Sequence, residues 1–158
     1  MADLSCEYVL TTPGGTINFN AGTFGVDNQY WVADIQGLVQ APLRTPIDDR
    51  PYDDGSIGYN FWKAGRDITF DGHFLVQTVP CGPEIVGVWN VMEDNLRIAL
   101  ESIGAAIGVV GTLVWTPTGL SQRTLEVRSK VALECPPDQN YLLRAFHFGL
   151  FAEDPDWA

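Results

Sequence analysis

Positive charge is scarce in this chain. Nine Lys and Arg stand against twenty Asp and Glu, a formal net charge of −11. With so few cations to offer phosphates, it gains little from counterion release, so sequence-specific nucleic-acid binding is not expected. Only Lys63 and Lys130 are lysine; the other cations are arginine. Arginine suits interface ion pairs, although a GC-rich coding sequence produces the same bias. Cysteine is sparse and odd in number, at Cys6, Cys81 and Cys135, which predicts reduced thiols rather than a disulfide framework. Long apolar runs are missing too. The longest uncharged one, Gly104 to Trp115, falls short of the ~20 residues that cross a bilayer. Met1 to Leu10 has neither the basic nor the apolar region of a secretion signal. A soluble chain made in the cytoplasm, with no membrane partner, is the expectation.

Catalytic signatures are equally absent. The two histidines, His73 and His147, fall on separate predicted strands, and no CxxC or HExxH accompanies them. Gly55-Ser56-Ile57-Gly58 does not fit the nucleophile elbow. Gly104, Gly108 and Gly111 have the wrong spacing for a phosphate loop. Asp67 and Asp71 share a strand face, but positions i and i+4 lie about 13 Å apart, more than paired glycosidase carboxylates use. Close carboxylates do bind hard cations, yet the run from Asp48 to Gly55 lacks the alternating oxygen ligands of a calcium loop. A solvated turn or an ion-paired subunit contact fits it better. No catalytic residue, metal or cofactor is expected.

What remains is a composition for one globular domain spanning residues 1–158, with 46% apolar residues, sixteen glycines and ten prolines. Tyr8–Thr11 and Thr16–Phe19 flank Pro13-Gly14-Gly15, which predicts a hairpin. Tyr30–Ile35 reads as a strand rich in aromatic and β-branched residues. From Arg66 to Thr78, Ile68, Phe70, Gly72, Phe74 and Val76 alternate with polar residues, the pattern of a half-buried antiparallel strand. A single helix is predicted from about Glu84 to Ile103. Pro83 stands at its start and Gly104 just past its end. Its apolar stripe is Ile85, Val88, Trp89, Met92, Leu96, Ala99, Leu100 and Ile103, with Glu93 and Arg97 as an i,i+4 pair on the wet side. Thr112–Thr116 and Arg123–Glu134 predict a second hairpin, with Leu125, Val127, Val131 and Leu133 facing inward. Leu142–Phe151 closes the set with Phe146, Phe148 and Leu150 on one face. The expected fold is mainly β: an antiparallel β-sandwich or split barrel with one flanking α-helix.

Between the Tyr30–Ile35 strand and the long alternating one lies a polar stretch, Gln40 to Asn60. Pro42, Pro46 and Pro51 argue there against a continuous strand or helix. A loop this long is usually an interaction arm. Five tryptophans are many for this length. Trp89 and Trp115 sit on apolar faces and are expected in the core. Trp62 and Trp157 lie beside polar or Pro-rich segments and are candidates for an interface.

Three features, taken in order, resemble the distal tail proteins of siphophages, which have a tail-tube-like fold. The first is Arg50-Pro51-Tyr52-Asp53-Asp54-Gly55-Ser56-Ile57-Gly58 with the later Gly65-Arg66-Asp67-Ile68-Thr69-Phe70-Asp71-Gly72. The second is the helix with Asn95-Leu96-Arg97-Ile98-Ala99-Leu100, leading to the Thr112-Leu113-Val114-Trp115 hairpin and the Arg123 to Val127 strand. The third is the ending, Phe148-Gly149-Leu150-Phe151-Ala152-Glu153-Asp154-Pro155-Asp156-Trp157. The resemblance implies a homo-hexameric ring at the tip of a long non-contractile tail. The ring would join the tail tube to hub or fibre proteins and leave a channel for DNA. Many relatives continue into a galectin-like domain; with the sequence closing at Ala158, a single domain is expected and sugar binding is not carried over. The subunit contacts expected from loop position are Asp48, Asp49, Arg50, Tyr52, Asp53, Asp54, Trp62, Lys63, Arg66 and Trp157. Rival readings are a tail tube or terminator protein, a carbohydrate-binding module, and last a small hydrolase around Asp67, Asp71 or His73.

Overall fold

The structure is a computed structural model. It describes residues 7–23, 26–38, 65–79, 83–104, 108–136, 144–154 and 156–158, together with the backbone of 43–44, 47–49, 56–58 and 62–63. The strands are β1 (Glu7–Thr12), β2 (Gly15–Phe19), β3 (Gln29–Gln36), β4 (Leu43–Arg44), β5 (Ile47–Asp49), β6 (Ser56–Gly58), β7 (Trp62–Lys63), β8 (Arg66–Leu75), β9 (Gly111–Thr116), β10 (Arg123–Glu134) and β11 (Arg144–Ala152). The helix, α1, spans Pro83–Ser102.

Seven strands close a barrel in the order β1-β2-β3-β8-β11-β10-β9. The expected mainly β fold with one helix is what forms. Every neighbouring pair in the barrel is antiparallel except β2 and β3, which meet in parallel at a single point, Phe19 opposite Tyr30. The long seam is β8 with β11, where Ile68, Phe70, Gly72 and Phe74 lie opposite Leu150, Phe148, Phe146 and Arg144. Strand alternation sends Ile68, Phe70, Phe74, Phe146, Phe148 and Leu150 into the interior. There Phe70 stacks on Phe148 with centroids 4.8 Å apart. Phe19 reaches both, at 5.4 Å and 5.9 Å. Each buried phenyl contributes roughly 1.5–3 kcal/mol of transfer free energy.

Helix α1 lies across one end of this barrel. Its buried stripe is Ile85, Trp89, Met92, Leu96, Ala99 and Leu100, as the 3.6 period predicts, and Val88 packs at the margin of the core. Polar ties fix its position: Trp89 Nε1 donates to Phe74 O at 3.1 Å, and the Tyr30 hydroxyl donates to Met92 O at 3.1 Å. Gly14 N donates to Ser102 Oγ at 3.1 Å. Burial raises the Tyr30 phenol above its ordinary pKa, with a hydrogen bond to Asn95 opposing. The expected Glu93–Arg97 pair does not form. Arg97 pairs instead with Asp94 one turn back, and Glu93 reaches Arg144 of β11 at 2.9 Å, a contact between elements that helix periodicity cannot register.

Strand β10 also departs from its expected pattern. Leu125 and Val127 are buried, but Val131 is 39% exposed. Register shifts against β11 on both sides of Val131 turn its side chain outward, onto the space left by Gly149. A β-bulge re-aims side chains in this way.

Two glycines test the packing with opposite signs. A Cβ on Gly72 would stand 2.1 Å from Trp31 O and 2.7 Å from Phe146 Cζ, whereas one on Gly87 in α1 meets nothing within 4 Å. Gly72→Ala should lower unfolding free energy by ~1–3 kcal/mol, and Gly87→Ala should raise it by ~0.5–1 kcal/mol. Urea titration followed by tryptophan fluorescence reads both.

Candidate functional site

The stretch expected as a loop is paired. β4 lies against β7, with Leu43 opposite Lys63, and β5 lies against β6, with Ile47 opposite Gly58. The two registers differ by one residue, and the two pairs stand as separate two-stranded sheets, between β3 and β8 in the chain. The prolines are compatible with this because none falls inside a paired strand: Pro42 precedes β4, Pro46 separates β4 from β5, and Pro51 follows β5.

Among the expected contact residues, Asp48 and Asp49 are in β5, and Trp62 and Lys63 are in β7. Their side chains lie outside the described residues, as do Arg50, Tyr52, Asp53 and Asp54 entirely. Arg66 and Trp157 are described, and both sit at the root of the arm. Arg66 is only 3% exposed. Its guanidinium donates to Leu38 O and, at 3.4 Å, to Gly37 O. Trp157 Nε1 donates to the same Leu38 carbonyl at 3.1 Å. The Trp157 ring lies 5.4 Å from the Arg66 guanidinium and 5.5 Å from Trp115, which in turn carries Arg123 at 5.5 Å. Ala158 and Thr124 exchange backbone hydrogen bonds at 2.9 and 3.0 Å, adding the chain end to this side of the barrel.

The clasp holds both feet of the arm. Gly37, with φ of +86°, lies so near β8 that a Cβ would stand 1.9 Å from Asp67 O. At the other foot, a Cβ on Gly65 would meet the Phe151 ring at 2.4 Å. Only glycine lets the chain leave and re-enter the barrel this closely. Desolvation pulls the Arg66 guanidinium below its usual pKa, and the Asp156 carboxylate pushes it back up. Arginine stays charged at neutral pH, so this is a buried cation held by two carbonyls and an indole face, while its Nε meets no acceptor among the described residues. Sequence reading placed Arg66 and Trp157 at an interface but missed that they meet each other. Residues 91 positions apart in the chain (157 − 66) carry no local signal of contact.

Elsewhere the titratable groups are spent on one another. Asp67 holds Lys130 at 2.8 Å, and Arg128 holds Glu153 at 3.1 Å. Asp71 meets His147 Nδ1 at 2.5 Å. Among the described residues no serine, threonine or cysteine hydrogen-bonds to His147, so the pair lacks a nucleophile to activate. No group of three or more His, Cys, Asp or Glu suitable for a metal occurs among the described residues. The Cys135 thiol is pushed up to about 11 by burial and by the Glu93 carboxylate, so at neutral pH it is protonated and a poor nucleophile. No helix among the described residues is long and apolar enough to cross a membrane.

Fold and site together define a helix-capped β-barrel with two short strand pairs inserted between β3 and β8 and a clasp at the root of the insertion. The same fold is found in the crystal structure of SPP1 Dit (gp 19.1), presented as a paradigm of the hub adsorption apparatus in phages that infect Gram-positive bacteria. The match has a TM-score of 0.58 at 10% identity and covers 94% of this chain and 50% of that one. The chain therefore spans about half the length of that protein. No family model matches the sequence, and no curated protein does either.

The clasp makes a separable prediction. Trp157→Phe keeps a ring over Arg66 but removes the donor to Leu38 O, and should cost ~1–2 kcal/mol of stability. Arg66→Met removes two further donors at the same carbonyls and should cost ~2–4 kcal/mol. Chemical denaturation of both variants beside the parent checks the ranking; equal and negligible losses would show that the clasp does not hold the arm root.

Proposed function

We propose that this chain is a structural component of a phage tail tip, where copies of it assemble into a ring. The observation that carries the reading is the fold shared with a tail hub protein over nearly the whole chain. Strand pairing outside the barrel, in a segment rooted beside β8, supports it, since such pairing offers a surface to a neighbour. So does the chemistry: Asp67, Glu93, Asp94 and Glu153 are paired with cations rather than arranged around a reactive centre.

In this reading the ring has six copies and a central channel for DNA. Its formal charge would be 6 × (−11) = −66. Acidic groups facing the channel would repel the duplex and keep it sliding. One face of the ring joins the tail tube and the other the hub or fibre proteins. Subunit contacts run through the arm, with Asp48, Asp49, Arg50, Tyr52, Asp53, Asp54, Trp62 and Lys63 as the residues to test; Arg66 and Trp157 serve by fixing the arm root. A sugar-binding module is less well supported. Trp89 is buried, and Trp115 and Trp157 pack on each other, so these rings do not form an open aromatic face.

Light scattering on the purified protein, with negative-stain images of the same sample, should show closed six-membered rings. Open tubes would transfer the assignment to a tube protein, and a monomer that binds glycans would overturn the structural role.

A further inference from the structure

The barrel wall contains a gap. β2 and β3 meet only where one ends and the other begins, at Phe19 and Tyr30. Among the described residues no strand lies beside Gly15–Asn18 on the side away from β1. Asn20 N donates to Tyr30 O at 3.0 Å across this junction. Backbone alternation turns the groups of Thr16 and Asn18 toward the same side; the Asn18 carbonyl is taken by Tyr30 N–H in the parallel bridge, which leaves the Thr16 groups and the Asn18 N–H with no partner strand among the described residues. A cleft of about 580 Å³ opens there, lined by this bare edge, by Tyr30, by Asn95 and Ile98 of α1, and by Asp27.

The cleft is preformed. The Tyr30 hydroxyl is tied to α1. Asp27 Oδ2 accepts the Thr23 N–H at 2.7 Å, and Asn28 Oδ1 accepts the Gln77 and Thr78 N–H groups at 2.9 and 3.2 Å. Its charge is one-sided: among the described residues Asp27 is the carboxylate in the lining, and no lysine or arginine lines it.

We infer that this cleft binds a short extended segment of a different polypeptide, which adds as a strand to the β2 edge at Thr16 and Asn18 and sets a lysine or arginine opposite Asp27. Strand addition to an exposed edge draws its affinity from main-chain hydrogen bonds and its specificity from side-chain pockets. The segment is not expected from a second copy. The described cations of this chain are engaged: Arg97, Arg128, Lys130 and Arg144 by carboxylates, and Arg66 and Arg123 by indole rings. The remaining Arg44, Arg50 and Lys63 share residues 39–64 with Asp48, Asp49, Asp53 and Asp54, a net charge of 3 − 4 = −1. The inference holds whether or not the barrel assembles into a ring.

Amide NMR titration of the full chain tests it. The probe is a capped peptide of alternating threonine and valine with one central lysine, compared with its glutamate counterpart. Saturable shifts are expected at Thr16, Asn18 and Asp27. The lysine peptide should bind roughly two- to fivefold tighter, and Asp27→Lys should invert that preference. Asn18→Pro deletes an N–H from the edge and should weaken both peptides by about tenfold or more; if that variant does not fold, the inversion by Asp27→Lys decides alone. The inference is overturned by absence of saturable shifts, by shifts confined to other surfaces, or by equal affinity for the two peptides. Thr16 and Asn18 shifts that grow with protein concentration alone would assign the cleft to a second copy and also overturn it.

Discussion

Four phenyl rings, Phe19, Phe70, Phe146 and Phe148, bring together three strands that are far apart in the chain, and the closed barrel depends on that contact. β8 and β11 are joined by a long ladder, but β2 joins β3 through one bridge. Backbone hydrogen bonds at a single bridge cannot hold a wall shut. Phe19 supplies what the ladder lacks, lying against Phe70, Phe146 and Phe148 at once. The apolar burial of one side chain thus closes the weakest seam, and α1 covers the end of the barrel where the seam begins.

Closure at one end leaves the other to the arm. The chain exits at Gly37 and returns at Gly65, and both approach the barrel too closely for a side chain. Arg66, Trp157 and Leu38 then lock these feet together. An inserted segment on a free hinge would sample many directions, and ordering it on a partner would cost conformational entropy. A clasped root reduces that cost before any partner arrives. The proposed role of the arm in a ring follows from this preorganisation rather than from any one contact residue.

Much of the fold was legible in the sequence, for identifiable reasons. The β1–β2 hairpin, the alternation of β8 and the stripe of α1 are local periodicities, and the structure follows each. Three features escaped. The outward turn of Val131 depends on bulges that arise only when β10 meets β11. The ion pair of Glu93 depends on Arg144, which another strand brings near. The pairing of β4 with β7 and of β5 with β6 was hidden by nearby prolines, none of which falls inside a paired strand. The candidate site was legible only in part: position in the chain singled out the arm, but the clasp joining Arg66 to Trp157 is a long-range contact with no local trace.

The most direct measurement of the central claim is single-particle cryo-electron microscopy of the purified protein. The account predicts closed rings in which residues 39–64 of each copy cross onto the next while the clasp at Arg66, Trp157 and Leu38 stays as described. Particles whose subunits meet through barrel faces alone, with residues 39–64 folded back on their own barrel, would contradict it.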